Sequence, residues 1–143
     1  MPERPRFHLA IPVDDLAAAR RFYGEVLGCA EGRSSPSWVD FDLHGHQLVA
    51  HLAPGAGDVA RTAVDGDDVP VPHFGLLLEL DDWEDMAERL RDAGTAFVVE
   101  PHVRFEGRPG EQRTLFVRDP AGNAIELKSF ADDAMVFARD LEP

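Results

Sequence analysis

The chain has 143 residues, a formal charge of −13 and a single cysteine, Cys29. That length makes one domain with room for a real core; the charge opposes binding to phosphate backbones, and one cysteine excludes an internal disulfide and a thiolate-rich zinc site. The N-terminus has no apolar run of signal-peptide or membrane-span length, so the expectation is a cytoplasmic, soluble protein with neither nucleic acid nor membrane as partner.

Phe7 to Val13 alternates apolar residues with His8, Ala10 and Pro12, the period of a strand. Asp14 or Asp15 then offers an N-cap; Leu16, Ala19, Tyr23, Val26 and Leu27 recur at helical spacing, and Gly28 supplies the stop. Ser34 to Pro36 breaks the pattern. Trp38 to Leu43 and Gln47 to Leu52 read as strands joined by a hairpin at His44-Gly45-His46. Pro54 to Pro72, rich in glycine, proline and aspartate, reads as a linker or mobile loop.

The pattern then starts again. His73 to Leu80 is a strand, and Asp81 or Asp82 caps a helix whose Trp83, Met86, Ala87 and Leu90 share a face and which Gly94 ends. Phe97 to Glu100 and Thr114 to Val117 are strands around a loop from His102 to Gln112. Asp119-Pro120-Ala121-Gly122-Asn123 is a turn that feeds the strand Ala124-Ile125-Glu126-Leu127-Lys128. Ser129 to Arg139 reads as a short C-terminal helix.

His8 and His73 stand sixty-five positions apart and Gly28 and Gly94 sixty-six, the mark of an internal repeat. The reading is α+β: two tandem βαβββ modules forming a curved, cup-like mixed sheet with the helices outside. Residues 1–143 make one domain, with module one at about 6–54, a linker at about 55–71, module two at about 72–130 and a C-terminal segment at 131–143. His8, His51, His73 and Glu126 each lie on the face of their strand opposite the large apolar residues, and His51 and Glu126, seventy-five apart, are paired by the repeat if the second loop is longer. Histidine and carboxylate without thiolate suit a divalent metal of borderline character such as iron, manganese, nickel, cobalt or zinc.

From Phe7 to Phe130 the chain resembles the vicinal oxygen chelate superfamily of glyoxalases, bleomycin resistance proteins and extradiol dioxygenases. The resemblance is carried by His8, by Phe22-Tyr23-Gly24-Glu25-Val26-Leu27-Gly28, by His73 and by the stretch Asp119 to Glu126. Gly45 to Leu52, Val71-Pro72-His73-Phe74-Gly75 and Gly110-Glu111-Gln112 are similar to small extradiol-type dioxygenases. The resemblance implies metal ligands at His8, His73 and Glu126, with iron(II) favoured, a homodimer, and a dioxygenase acting on a small catechol-like substrate. It places the acid-base histidine nearest His46. Glyoxalase- and epimerase-like members fill the His51 position with a fourth ligand and use the metal as a Lewis acid, which keeps a lyase or isomerase as the alternative. A binding protein that sequesters an antibiotic without catalysis is the second alternative. His102 could move protons and Arg104 could touch substrate in the long loop.

Overall fold

The computed structural model describes residues 4–53, 60–64 and 67–139, with the side chains of 60–64, 67 and 68 left out of account. Two units are present, one holding 4–53 with 119–123 and the other holding 60–64, 67–118 and 124–139. Each contains one module of strand, helix and three strands, as the repeat predicts.

In the first unit β1 (His8–Val13) leads to α1 (Leu16–Ala19), which passes directly into a π-helical stretch, Arg20–Val26. Asp15 caps it by accepting the Ala18 amide at 3.1 Å, and Gly28 turns the chain out at φ +77°. β2 (Ala30–Ser35), β3 (Trp38–Leu43) and β4 (His46–Leu52) follow, and the sheet order is β1-β4-β3-β2 with β1 parallel to β4. His44 and Gly45, both at positive φ, form a two-residue turn between β3 and β4. The helix buries Ala19, Phe22 and Tyr23, and the Tyr23 ring stands 5.5 Å from that of Phe41 on β3.

β2 falls where no strand was predicted. Its residues, Ala-Glu-Gly-Arg-Ser-Ser, are almost all exposed and carry no apolar alternation; pairing with β3, interrupted by an irregularity between Glu31 and Ser34, is what makes them a strand.

The second unit opens with an antiparallel hairpin, β5 (Ala60–Val64) and β6 (Asp67–Val71), inside the stretch predicted as linker. Residues 54–59 and 65–66 of that stretch lie outside the described residues. The hairpin is anchored because Val69 packs with Val99 and Phe116 in a buried cluster. β7 (His73–Leu77), α2 (Leu80–Asp92), β8 (Phe97–Arg104), β9 (Gln112–Arg118) and β10 (Ala124–Phe130) complete the unit, in sheet order β7-β10-β9-β8.

Glu79 occupies the N-cap of α2, so Asp81 and Asp82 lie in its first turn, where their charge favours the amino end of the helix dipole. Trp83, Met86, Ala87 and Leu90 form its buried face, and side chains the size of Met86 and Leu90 contribute roughly 1.5–3 kcal/mol each. The Trp83 indole N–H donates to the Leu127 carbonyl at 2.8 Å, tying helix to sheet. Beyond β10 the predicted C-terminal helix is reduced to a single 3₁₀ turn, Asp133–Met135. No helix among the described residues is long and apolar enough to cross a membrane.

Candidate functional site

β7 and β10 run parallel, with His73 beside Ala124 and Gly75 beside Glu126. Glu126 is 7% exposed, so its carboxylate needs partners. Thr114, itself buried, donates its hydroxyl to Glu126 Oε2 at 2.6 Å. That leaves Oε1, which stands 3.4 Å from His73 Nε2 and 3.8 Å from Lys128 Nζ.

The proton on His73 is assigned by its other nitrogen. Nδ1 lies 2.7 Å from the Pro70 carbonyl, which can only accept, so Nδ1 carries hydrogen and the neutral ring presents the Nε2 lone pair to Glu126. Nε2 and Oε1 thus face each other at a distance that a shared proton or ion would bridge, and the Lys128 ammonium stands beside Oε1 as well. Two donors bound to one ion at ~2.1 Å each are separated by about 3.0–3.4 Å in octahedral or tetrahedral geometry, so the pair fits a divalent metal. Phe116 braces the imidazole edge-on, with ring centroids 5.0 Å apart.

The first unit presents His8 on β1. Its Nδ1 lies 2.7 Å from Gln47 Oε1, and a cleft of about 640 Å³ opens over it, lined among others by Phe41, Asp40, Asp42, His46 and Gln47. His46 accepts the Phe7 amide on Nδ1 at 2.9 Å, so its neutral ring keeps the proton on Nε2.

His51 is on the same face as His8 but not near it. His8 pairs with Gln47 and Pro12 with His51, four residues along a strand, or about 13 Å. The repeat is therefore matched by strand register and not by residue type. In the second unit Glu126 lies two residues beyond the partner of His73, and the position two beyond the partner of His8 is Val49. Val49 has no donor atom.

His102 and Arg104, predicted in a loop, belong to β8, where His102 pairs with Thr114 and Arg104 with Gln112. The loop is shorter, from 105 to 111, because β8 continues through Pro101 with irregular register between Val99 and His102. Thr114 pairs in turn with Lys128, so His102, Thr114 and Lys128 form one row across the sheet, two residues along the strand from the Glu126–Phe116 pair. Among the described residues no group of three or more His, Cys, Asp and Glu side chains is placed to hold a metal ion. His73 and Glu126 lie in the second unit and His8 in the first.

One buried pair escaped the sequence reading. Asp119, 4% exposed, accepts the Tyr23 hydroxyl at 2.7 Å, the Asn123 amide at 2.7 Å and the Ala121 amide at 3.0 Å, while Asn123 Nδ2 donates to the Pro12 carbonyl at 2.8 Å. The turn thereby belongs to the first unit although the strands on either side belong to the second. Burial, then the Asp119 charge, holds the Tyr23 hydroxyl well above its ordinary value of 10.0.

A family model described as the Glyoxalase/Bleomycin resistance protein/Dioxygenase superfamily matches residues 7–127. The chain is 27% identical over 130 residues to Virulence protein STM3117 of Salmonella typhimurium, covering 86% of this chain and 82% of that protein. It is 30% identical over 132 residues to Biphenyl-2,3-diol 1,2-dioxygenase 3 of Rhodococcus globerulus, covering 90% of this chain and 65% of the dioxygenase. Among solved structures, a glyoxalase/bleomycin resistance protein/dioxygenase from Alicyclobacillus acidocaldarius superposes with a TM-score of 0.79 at 32% identity, over 94% of this chain and 97% of the other.

Proposed function

The chain belongs to the glyoxalase/bleomycin resistance protein/dioxygenase superfamily, and from that premise we propose that it is an iron(II)-dependent dioxygenase acting on a small substrate with two adjacent oxygens, such as a catechol. The residues that would hold such an ion are His8, His73 and Glu126. The observation that carries the choice is Val49, an apolar residue at the register position where a fourth ligand would stand. Two histidines and one carboxylate leave positions for a bidentate substrate and dioxygen. Similarity to a protein named for oxidation of biphenyl-2,3-diol supports the same substrate class.

The chemistry such an ion supplies is acidification of two neighbouring hydroxyls and access of dioxygen to an electron-rich ring. The chain does the rest. Thr114 fixes the carboxylate by its short bond to Oε2. Phe116 and the Pro70 carbonyl fix the His73 ring. His46, with Nδ1 held by the backbone, keeps its exchangeable proton on Nε2, the atom that can pass it to substrate as acid and recover it as base. His102 and Arg104 lie on β8, in register with Thr114 and Gln112, and in this reading they would meet the substrate's far end.

Protein reconstituted anaerobically with ferrous iron and then given catechols is expected to consume oxygen, and His46→Ala to lose about 10²-fold or more of that rate. No consumption across a broad catechol panel, or oxygen-independent isomerisation or epimerisation next to a substrate carbonyl with nickel or cobalt but not iron, would replace this reading with the lyase or isomerase one.

A further inference from the structure

The two histidines assigned to the proposed ion reach the same tautomer by different means. His73 is held by a backbone carbonyl, Pro70 O, which no substitution at Pro70 removes. His8 is held by a side chain that is itself held by another: Gln47 Nε2 donates to Asp40 Oδ2 at 3.3 Å, and His8 Nδ1 meets Gln47 Oε1 at 2.7 Å. All three residues lie on one face of the sheet, since His8 pairs with Gln47, Gln47 with Asp42, and Asp40 is two residues from Asp42 on β3.

The order of donors along this chain is determined. An Asp40 carboxylate can only accept, so the Gln47 amide must turn its NH₂ group towards Asp40. Its carbonyl oxygen is then the atom that faces His8, and a carbonyl cannot donate. His8 must therefore carry hydrogen on Nδ1, which leaves the Nε2 lone pair for ligation. A free imidazole in water favours the opposite tautomer, with hydrogen on Nε2, and would have to rearrange before binding an ion.

We propose that Gln47, oriented by Asp40, is a positioning residue that sets the tautomer of His8 and so prepares it as an Nε2 ligand. The proposal rests on the ligand set proposed above. Partners of this kind, which hold the remote nitrogen of a ligating histidine, typically raise metal affinity about 10–100-fold.

The test uses ¹⁵N chemical shifts of the histidine rings in metal-free protein at neutral pH, with His8 assigned from the signal lost in His8→Asn. Wild type is expected to show a proton-bearing Nδ1 and a bare Nε2 at His8. Gln47→Leu should move the proton to Nε2 and weaken ferrous or zinc binding about tenfold. Gln47→Glu combined with Asp40→Asn preserves an acceptor facing His8 and should keep the wild-type tautomer. An Nε2-protonated His8 in wild type, or an unchanged tautomer in Gln47→Leu, overturns the proposal. Wild-type protein that shows the expected tautomer and yet binds neither metal would refute the metal-ligand reading while leaving the Gln47 assignment standing.

Discussion

The two units wind the same strand order, first-fourth-third-second, and differ at two neighbouring positions, one of them a buried carboxylate in the second unit. In the second unit the residue two beyond the partner of the opening histidine is Glu126, and beside it on the opening strand is Gly75. In the first unit the matching residues are Val49 and Ala10. A Cβ built at Gly75 would collide with the Glu126 backbone carbonyl, so β7 meets the carboxylate-bearing strand at a point where no side chain fits. The duplicated scaffold thus carries an opening-strand histidine in both copies and the buried carboxylate in one.

The largest way to break the comparison is Gly75→Ala, which forces β7 away from β10. We expect a loss of about 3 kcal/mol or more in denaturant melts. The mirror change in the first unit, Ala10→Gly, removes a Cβ that its backbone already accommodates and should cost only about 0.5–1 kcal/mol. Equal effects would mean that the units do not differ in the way described.

A smaller effect separates the buried polar anchors. Tyr23→Phe removes one donor from Asp119 and should cost about 1–3 kcal/mol. Because Tyr23 is the only tyrosine, its ionisation can be followed directly by tyrosinate absorbance. The hydroxyl is raised in the folded state, so its contribution is fully present below pH 10.0 and is lost as pH rises through the folded value, where the unfolded chain has already released its proton. Native protein should therefore show no tyrosinate step around pH 10, and denatured protein should show a full one.

Much of this architecture was legible because periodicity survives in β1, α2 and β10, where one face is buried. β2 and the β5–β6 hairpin were not. The first is an exposed strand that only its partner defines, and the second was obscured by glycines and aspartates around the buried Val69 and Pro70. In the site, His8, His73 and Glu126 stood out by residue type and strand face. The position of His51 did not, because sequence offsets count loop residues while neighbourhood follows strand register. The Tyr23–Asp119 bond spans 96 positions and joins two residues with no shared pattern. Its only signal was a lone tyrosine on the helix face that packs on the sheet.

The central claim is that a divalent ion is held by the His73–Glu126 pair and not by His51. Ferrous-ion binding by tag-free protein tests it most directly. Wild type and His51→Ala should bind with affinities within about threefold of each other, while His73→Ala and Glu126→Gln should bind at least about tenfold more weakly. Tight binding that survives loss of His73 or Glu126, or that disappears with His51, would contradict the account.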